Sequence, residues 1–145
     1  MIRLREPRDD EKISRLITHT ILEKNTDIPM WENERMIEIY APEHFPEIAK
    51  TREIYVLEED GEIVATVGLT DDGEVAGFFT AAEYEGRGYG TRMMEMILAR
   101  AREKGHTSVH LSASITAHSF YKRFGFADTG ETHADGTVFE MTRDL

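Results

Sequence analysis

Residues 85–90 read Glu85-Gly86-Arg87-Gly88-Tyr89-Gly90, and the stretch behind them places Met93, Met94, Ile97, Leu98 and Ala101 on one helical face. This loop-to-helix junction decides the fold. Glycines let a backbone approach a ligand closely, and the first-turn N–H groups of a helix have no partner within it. Together with the positive end of the helix dipole they make an anion site, for which a diphosphate is a natural guest. Two familiar glycine loops fail on spacing. The phosphate loop of nucleotide hydrolases needs Lys and then Ser or Thr after its last glycine, but Thr91-Arg92 follow Gly90. A dinucleotide fingerprint needs a glycine three residues after its second, and Thr91 or Met93 stands there instead.

Upstream of the loop the chain reads as strands. Ile54 to Glu58 and Ile63 to Leu69 are rich in β-branched residues and flank the hairpin signal Glu59-Asp60-Gly61. Asp71-Asp72-Gly73 is a second turn, and Glu74 to Thr80 is a third strand, completing an antiparallel meander. Further back, Ile2 to Leu4 forms a short strand. Asp9 and Asp10 then cap a helix that carries Ile13, Leu16, Ile17 and Ile21 on one stripe and ends near Asn25. Pro29, Pro42 and Pro46 interrupt Thr26 to Thr51, where Met36, Ile37 and Tyr40 predict a short second helix. Downstream of the loop helix, which Gly105 stops, Val109 to Ala113 is a strand and Thr116 to Phe124 a helix closed by Gly125. Phe126 to Gly130 and Thr137 to Met141 form a last hairpin around Asp135-Gly136. The order predicts one α+β domain over residues 1–145, with a mixed, mostly antiparallel central sheet flanked by helices.

Composition narrows the function classes. Seventeen Lys and Arg against 28 Asp and Glu give the 145 residues a formal charge of −11. Binding nucleic acid through phosphates needs a basic face, so none is expected as a partner. A negative surface potential instead favours a cationic partner such as an amine. With no cysteine in the chain, disulfides, thiolate metal sites and a cysteine nucleophile are excluded. No apolar run approaches the roughly 20 residues that span a bilayer, and MIRLREPRDD lacks an apolar signal region. These features lead to the expectation of a cytoplasmic protein without membrane contact. His19, His44, His106, His118 and His133 lack a paired i, i+4 spacing, so no metal is expected.

The loop resembles the pyrophosphate loop of the GNAT superfamily of N-acetyltransferases: Gln or Arg, two residues, Gly, one residue, then Gly or Ala. Gly88 and Gly90 fall on the two small positions, and Glu85 stands where Gln or Arg is usual. Arg87 and Arg92 keep positive charge in the segment. Ala117-His118-Ser119-Phe120-Tyr121-Lys122-Arg123-Phe124-Gly125-Phe126 is similar to the family's later signature of Ala, Phe-Tyr and Gly-Phe, with Ser114 in the place of a frequent Asn. The resemblance covers most of the chain from Ile54 onward.

It implies a fold of GNAT type, in which acetyl-CoA lies between two splayed strands, here Glu74 to Thr80 and Val109 to Ala113. The pantetheine arm is then expected along the backbone of Phe78, Phe79 and Thr80, with the phenyl side chains serving the core. Residues 85–91, that is Glu85, Gly86, Arg87, Gly88, Tyr89, Gly90 and Thr91, are expected to hold the diphosphate, with Ser114 at the cofactor site. A backbone N–H near Phe79 stabilises the oxyanion in this reading. Tyr121 is the expected general acid, because a phenol is protonated at neutral pH and can supply a departing thiolate. For the general base Glu74, His110 and a water chain all stand open. Trp31 either lines the acceptor pocket or covers the core. The implied reaction is acetyl transfer from acetyl-CoA to a primary amine, small or peptidic, by direct attack on the thioester. The alternative is a GNAT-like acyl-CoA sensor without turnover. A homodimer through Thr137 to Met141 is a further expectation.

Overall fold

A computed structural model describes residues 1–145. Seven strands and five helices follow in the order β1 (Ile2–Leu4), α1 (Asp10–Lys24), α2 (Met30–Ile39), α3 (Phe45–Ile48), β2 (Arg52–Glu59), β3 (Glu62–Thr70), β4 (Val75–Thr80), α4 (Tyr89–Glu103), β5 (Ser108–Ser114), α5 (His118–Arg123), β6 (Ala127–His133) and β7 (Val138–Asp144). The strands form two antiparallel sheets, β1-β2-β3-β4 and β5-β7-β6. The meander arises as the turn residues dictate, with Glu59 paired to Glu62 across Asp60-Gly61.

The prolines between residues 26 and 51 start helices rather than end them. Pro29 precedes α2, and Pro42 and Pro46 occupy first-turn positions, where a missing N–H costs nothing. The second helix accordingly begins at Met30, earlier than Met36, Ile37 and Tyr40 alone suggest.

Strand β2 is buried on both faces. Ile54 and Val56 pack with Ile13, Ile17 and Ile21 of α1 and with Tyr40 and Phe45. Leu57 faces the opposite way, into the larger core with Met93, Met94 and Ile97 of α4 and with Val109, Leu111 and Met141 of the second sheet. Helix α4 thus fastens the two sheets together from one side. Glu53 on β2 adds a two-pronged ion pair to Arg100 of α4, with both contacts at 2.9 Å. That pairing holds the Glu53 carboxyl down to about 2.

No helix is long and apolar enough to cross a membrane. Strand β7 lies between β5 and β6, so both its edges are filled and Thr137 to Met141 offers no free edge to a second copy. The open edge of that sheet belongs to β6, whose residues are all exposed.

Candidate active site

The facing edges of β4 and β5 meet only at a parallel bridge between Glu74 and His110, where His110 N–H donates to Gly73 O at 3.1 Å. Beyond that point the strands part. A cleft of about 1330 Å³ runs through the gap, bordered by α1, α2, β4, the glycine loop, β5 and α5.

At one end stands the loop. The backbone N–H groups of residues 86 to 91 donate to no other group of the protein. Gly88 has φ +82°, which turns the chain into α4, and a Cβ added at Gly86 or Gly88 would meet nothing within 4 Å. A row of unpaired donors therefore borders open space at the positive end of a 15-residue helix. This fits a diphosphate. Glu85, Gly86, Gly88, Tyr89, Gly90 and Thr91 all line the cleft. The Arg87 guanidinium does not; it lies 5.0 Å from the centroid of Tyr84, while Arg92 sits over Tyr89 and 3.7 Å from Glu59. The positive charge that borders the cleft comes instead from Lys24, at the end of α1, which pairs with Glu85, and from Arg123 at the end of α5. The Thr116 hydroxyl donates to Lys24 O at 3.3 Å, so the end of α1 touches both banks.

In the middle, β4 carries a bulge. Thr66 pairs with Phe79 and Gly68 with Ala76, leaving Gly77 and Phe78 opposite the single residue Val67. Gly77 has φ +64°, and a Cβ there would come within 2.8 Å of the Tyr40 hydroxyl oxygen. The bulge sends the two phenyl rings apart. Phe78 packs against Phe120 and Tyr121 at 5.8 and 6.1 Å, and Phe79 against Tyr40 at 6.4 Å. Phe78, Phe79 and Thr80 all border the cleft.

Tyr121 is 7% exposed, with its ring held by Phe78, Phe120 and Phe126. Its hydroxyl takes no hydrogen bond from or to the protein, and the residue lines the cleft. Burial pushes the pKa of the Tyr121 phenol above its ordinary value, which keeps the proton in place at neutral pH. Ser114 also lines the cleft and accepts the Ala117 N–H at 3.2 Å, fixing the turn that leads into α5.

At the far end lie Glu74, Tyr40 and Arg52, while Asn33 and Trp31 line the cleft from the start of α2, where Asn33 Nδ2 donates to Asn25 O at 2.9 Å. Glu74 borders the cleft while His110 is exposed outside it, which separates the two candidate bases. Trp31 is 54% exposed, borders the cleft and belongs to neither core. Opposite them, Glu140 of β7 accepts from Ser112 at 2.6 Å and lies 2.9 Å from His133 Nε2. Sequence reasoning passed over Lys24, Arg52, Tyr40 and this Ser112-Glu140-His133 group as site residues. They come from separate elements, and no spacing links them.

The family model for the acetyltransferase (GNAT) domain matches residues 23–141. The chain belongs to the GNAT acetyltransferases. An amino-acid acetyltransferase of Pseudomonas putida strain KT2440 is 35% identical over 80 residues, 52% of this chain and 18% of that protein. The matched GNAT segment is thus a small part of the curated relative's length. Among solved structures, a GCN5-related N-acetyltransferase from Rhodopseudomonas palustris superposes with a TM-score of 0.87 at 16% identity, covering 100% of this chain and 95% of that one. The PaiA N-acetyltransferase of Thermoplasma acidophilum, solved in complex with coenzyme A, gives 0.85 at 17% identity, covering 100% and 99%. At such identities the likeness is one of fold, and it extends over the whole GNAT chain, residues 26–51 included.

Proposed function

We propose that this GNAT chain transfers an acetyl group from acetyl-CoA to a primary amine by direct attack on the thioester. The observation that carries this is the unbroken run of unpaired N–H groups from 86 to 91 at the mouth of the β4–β5 gap, with Tyr121 on its wall. Acetyl-CoA supplies the activated acyl group; the chain binds, orients and moves protons. The loop amides and the α4 dipole grip the diphosphate, and Lys24 brings the nearby positive charge that position 85 lacks. The exposed backbone of Phe78, Phe79 and Thr80 extends the sheet toward the pantetheine, in the manner of an added strand. A main-chain N–H of the bulged segment stabilises the negative charge on the carbonyl oxygen. Glu74 receives the proton that the acceptor ammonium must lose. The Tyr121 hydroxyl protonates the departing sulfur, a role supported by its burial and its unused hydrogen.

The test has two readouts. Titration calorimetry with coenzyme A should give saturable binding, and a thiol-release assay with acetyl-CoA and a panel of amines should give turnover. Absence of binding overturns the assignment of the loop. Binding without turnover on any amine replaces the enzyme with an acyl-CoA sensor, a reading to which Glu85 at the usual cation position lends support.

A further inference from the structure

Four Lys or Arg residues line the cleft: Lys24, Arg35, Arg52 and Arg123. Lys24 is paired with Glu85, and Arg35 with Glu32 through two contacts of 2.8 Å. Arg123, without a carboxylate partner, lies 5.7 Å from the ring of Phe120, which a Cβ at Gly90 would meet at 3.4 Å, and so borders the loop side of the cleft. Arg52 is different. It too has no carboxylate within ion-pair distance, but its Nε is buried without a partner, and its one hydrogen bond is a long contact of 3.4 Å from Nη1 to the Tyr40 hydroxyl. A half-buried guanidinium without a counter-ion is costly, and a ligand anion removes that cost.

The fold delivers this cation to a defined place. Arg52 pairs with Thr70 across β2 and β3, and Thr70 N–H donates to Glu74 O at 2.9 Å, so Arg52, Thr70 and Glu74 form one row across the sheet. The Arg52 stem crosses over Gly68, where a Cβ would stand 3.3 Å from its Cδ; a larger residue there would block the route to the cleft. Strand rise puts Glu74 about 20 Å from Thr80 along β4, at the opposite end from the glycine loop. This end of the cleft thus offers one cation without a counter-ion and one carboxylate. Those are the complements of a carboxylate and an ammonium on the same small molecule.

Resting on the acetyl-transfer reading of the site, we propose that the acceptor is an amine that also bears a carboxylate, held through that carboxylate by Arg52, with Glu74 receiving its ammonium. The bookkeeping of the step is simple. The ammonium loses a proton to Glu74, the N–C bond to the acetyl carbon forms, the C–S bond breaks, the thiolate takes the Tyr121 proton, and the second proton leaving the nitrogen restores the Tyr121 phenol. Arg52 stays charged throughout and acts as an anchor.

Matched acceptors decide it: L-lysine against cadaverine and L-arginine against agmatine, together with the amino-acid amides. The wild-type chain should favour the carboxylate partner of each pair by roughly 10–100-fold in kcat/KM, as expected for a charge-assisted contact. Arg52→Gln should abolish that preference by raising KM with little change in kcat, while Arg52→Lys restores part of it. Calorimetry of the same ligands on the coenzyme A complex should follow the same order. Equal use of both partners by the wild type, or an equal loss on both in Arg52→Gln, overturns the proposal. If no amine is acetylated, the acetyl-transfer reading fails by itself, and the calorimetric comparison of acid with amide still decides the Arg52 site.

Discussion

The two ends of the cleft are built from different materials. The loop end uses main-chain N–H groups, glycine and a helix dipole; Arg87 and Arg92 of that segment point elsewhere, toward Tyr84 and Glu59. The opposite end uses side chains: Arg52 and Glu74 from the sheet and Tyr40 just past α2. A backbone site tolerates nearly any side chain that leaves its geometry alone and fails when a Cβ intrudes. A side-chain site does the reverse. The first device suits a common cosubstrate and the second suits a partner that differs between relatives.

Substitutions at and between the two ends sharpen or break this contrast. The largest effect is expected at the seam, where Tyr121→Phe should lower kcat in the thiol-release assay by up to about 10²-fold, leaving coenzyme A affinity unchanged. An unaltered kcat removes the proton-donor role. At the loop end, Gly88→Val forces a β-branched residue to φ +82° and puts carbon into the open space beside the amides. It should weaken coenzyme A binding about tenfold, at a strain of about 1–2 kcal/mol. Preserved affinity would contradict a backbone cradle. Gly77→Ala, between the ends, meets the Tyr40 hydroxyl and should cost about 1–3 kcal/mol of stability in denaturant unfolding.

The smallest effect should come from Glu53→Gln, outside the cleft. The Glu53 carboxyl ionises more readily when folded, with its value lowered from 4.5 to about 2 by Arg100. Its stabilisation is therefore present above about pH 4.5 and is lost as pH falls through about 2. Glu53 and Arg100 are partly exposed, which keeps the contribution to about 1 kcal/mol or less. The variant should melt a few degrees lower at pH 7, with the gap to wild type closing toward pH 2, and should bind coenzyme A as well as wild type does.

The same contrast explains what the sequence made legible. Strand turns at Asp60-Gly61, the amphipathic stripe of α4 and the glycine loop are local, periodic signals, and each lies where the chain pattern predicts. The gap between β4 and β5 follows from strand order together with a resemblance. The acceptor end has no such grammar. Arg52 opens an alternating strand as any solvated arginine might, and only the sheet register brings it into line with Glu74. Lys24 sits 61 positions before Glu85, and nothing in either neighbourhood announces their pairing. Prolines misled for a related reason, since Pro29, Pro42 and Pro46 serve equally as breakers and as helix openers until their place in the first turn is seen.

The bridge at Glu74 and His110 has a consequence for the free chain. One bridge pins the two sheets at one corner, and the shared core on the α4 side acts as the hinge plate. What remains between them is the outline of a missing rung, edged on both banks by unmated peptide groups. A guest laid there would stitch two half-sheets into one fabric. Proton exchange at the amides of both β4 and β5 should then slow together when coenzyme A is added, although the two strands are bridged at a single point.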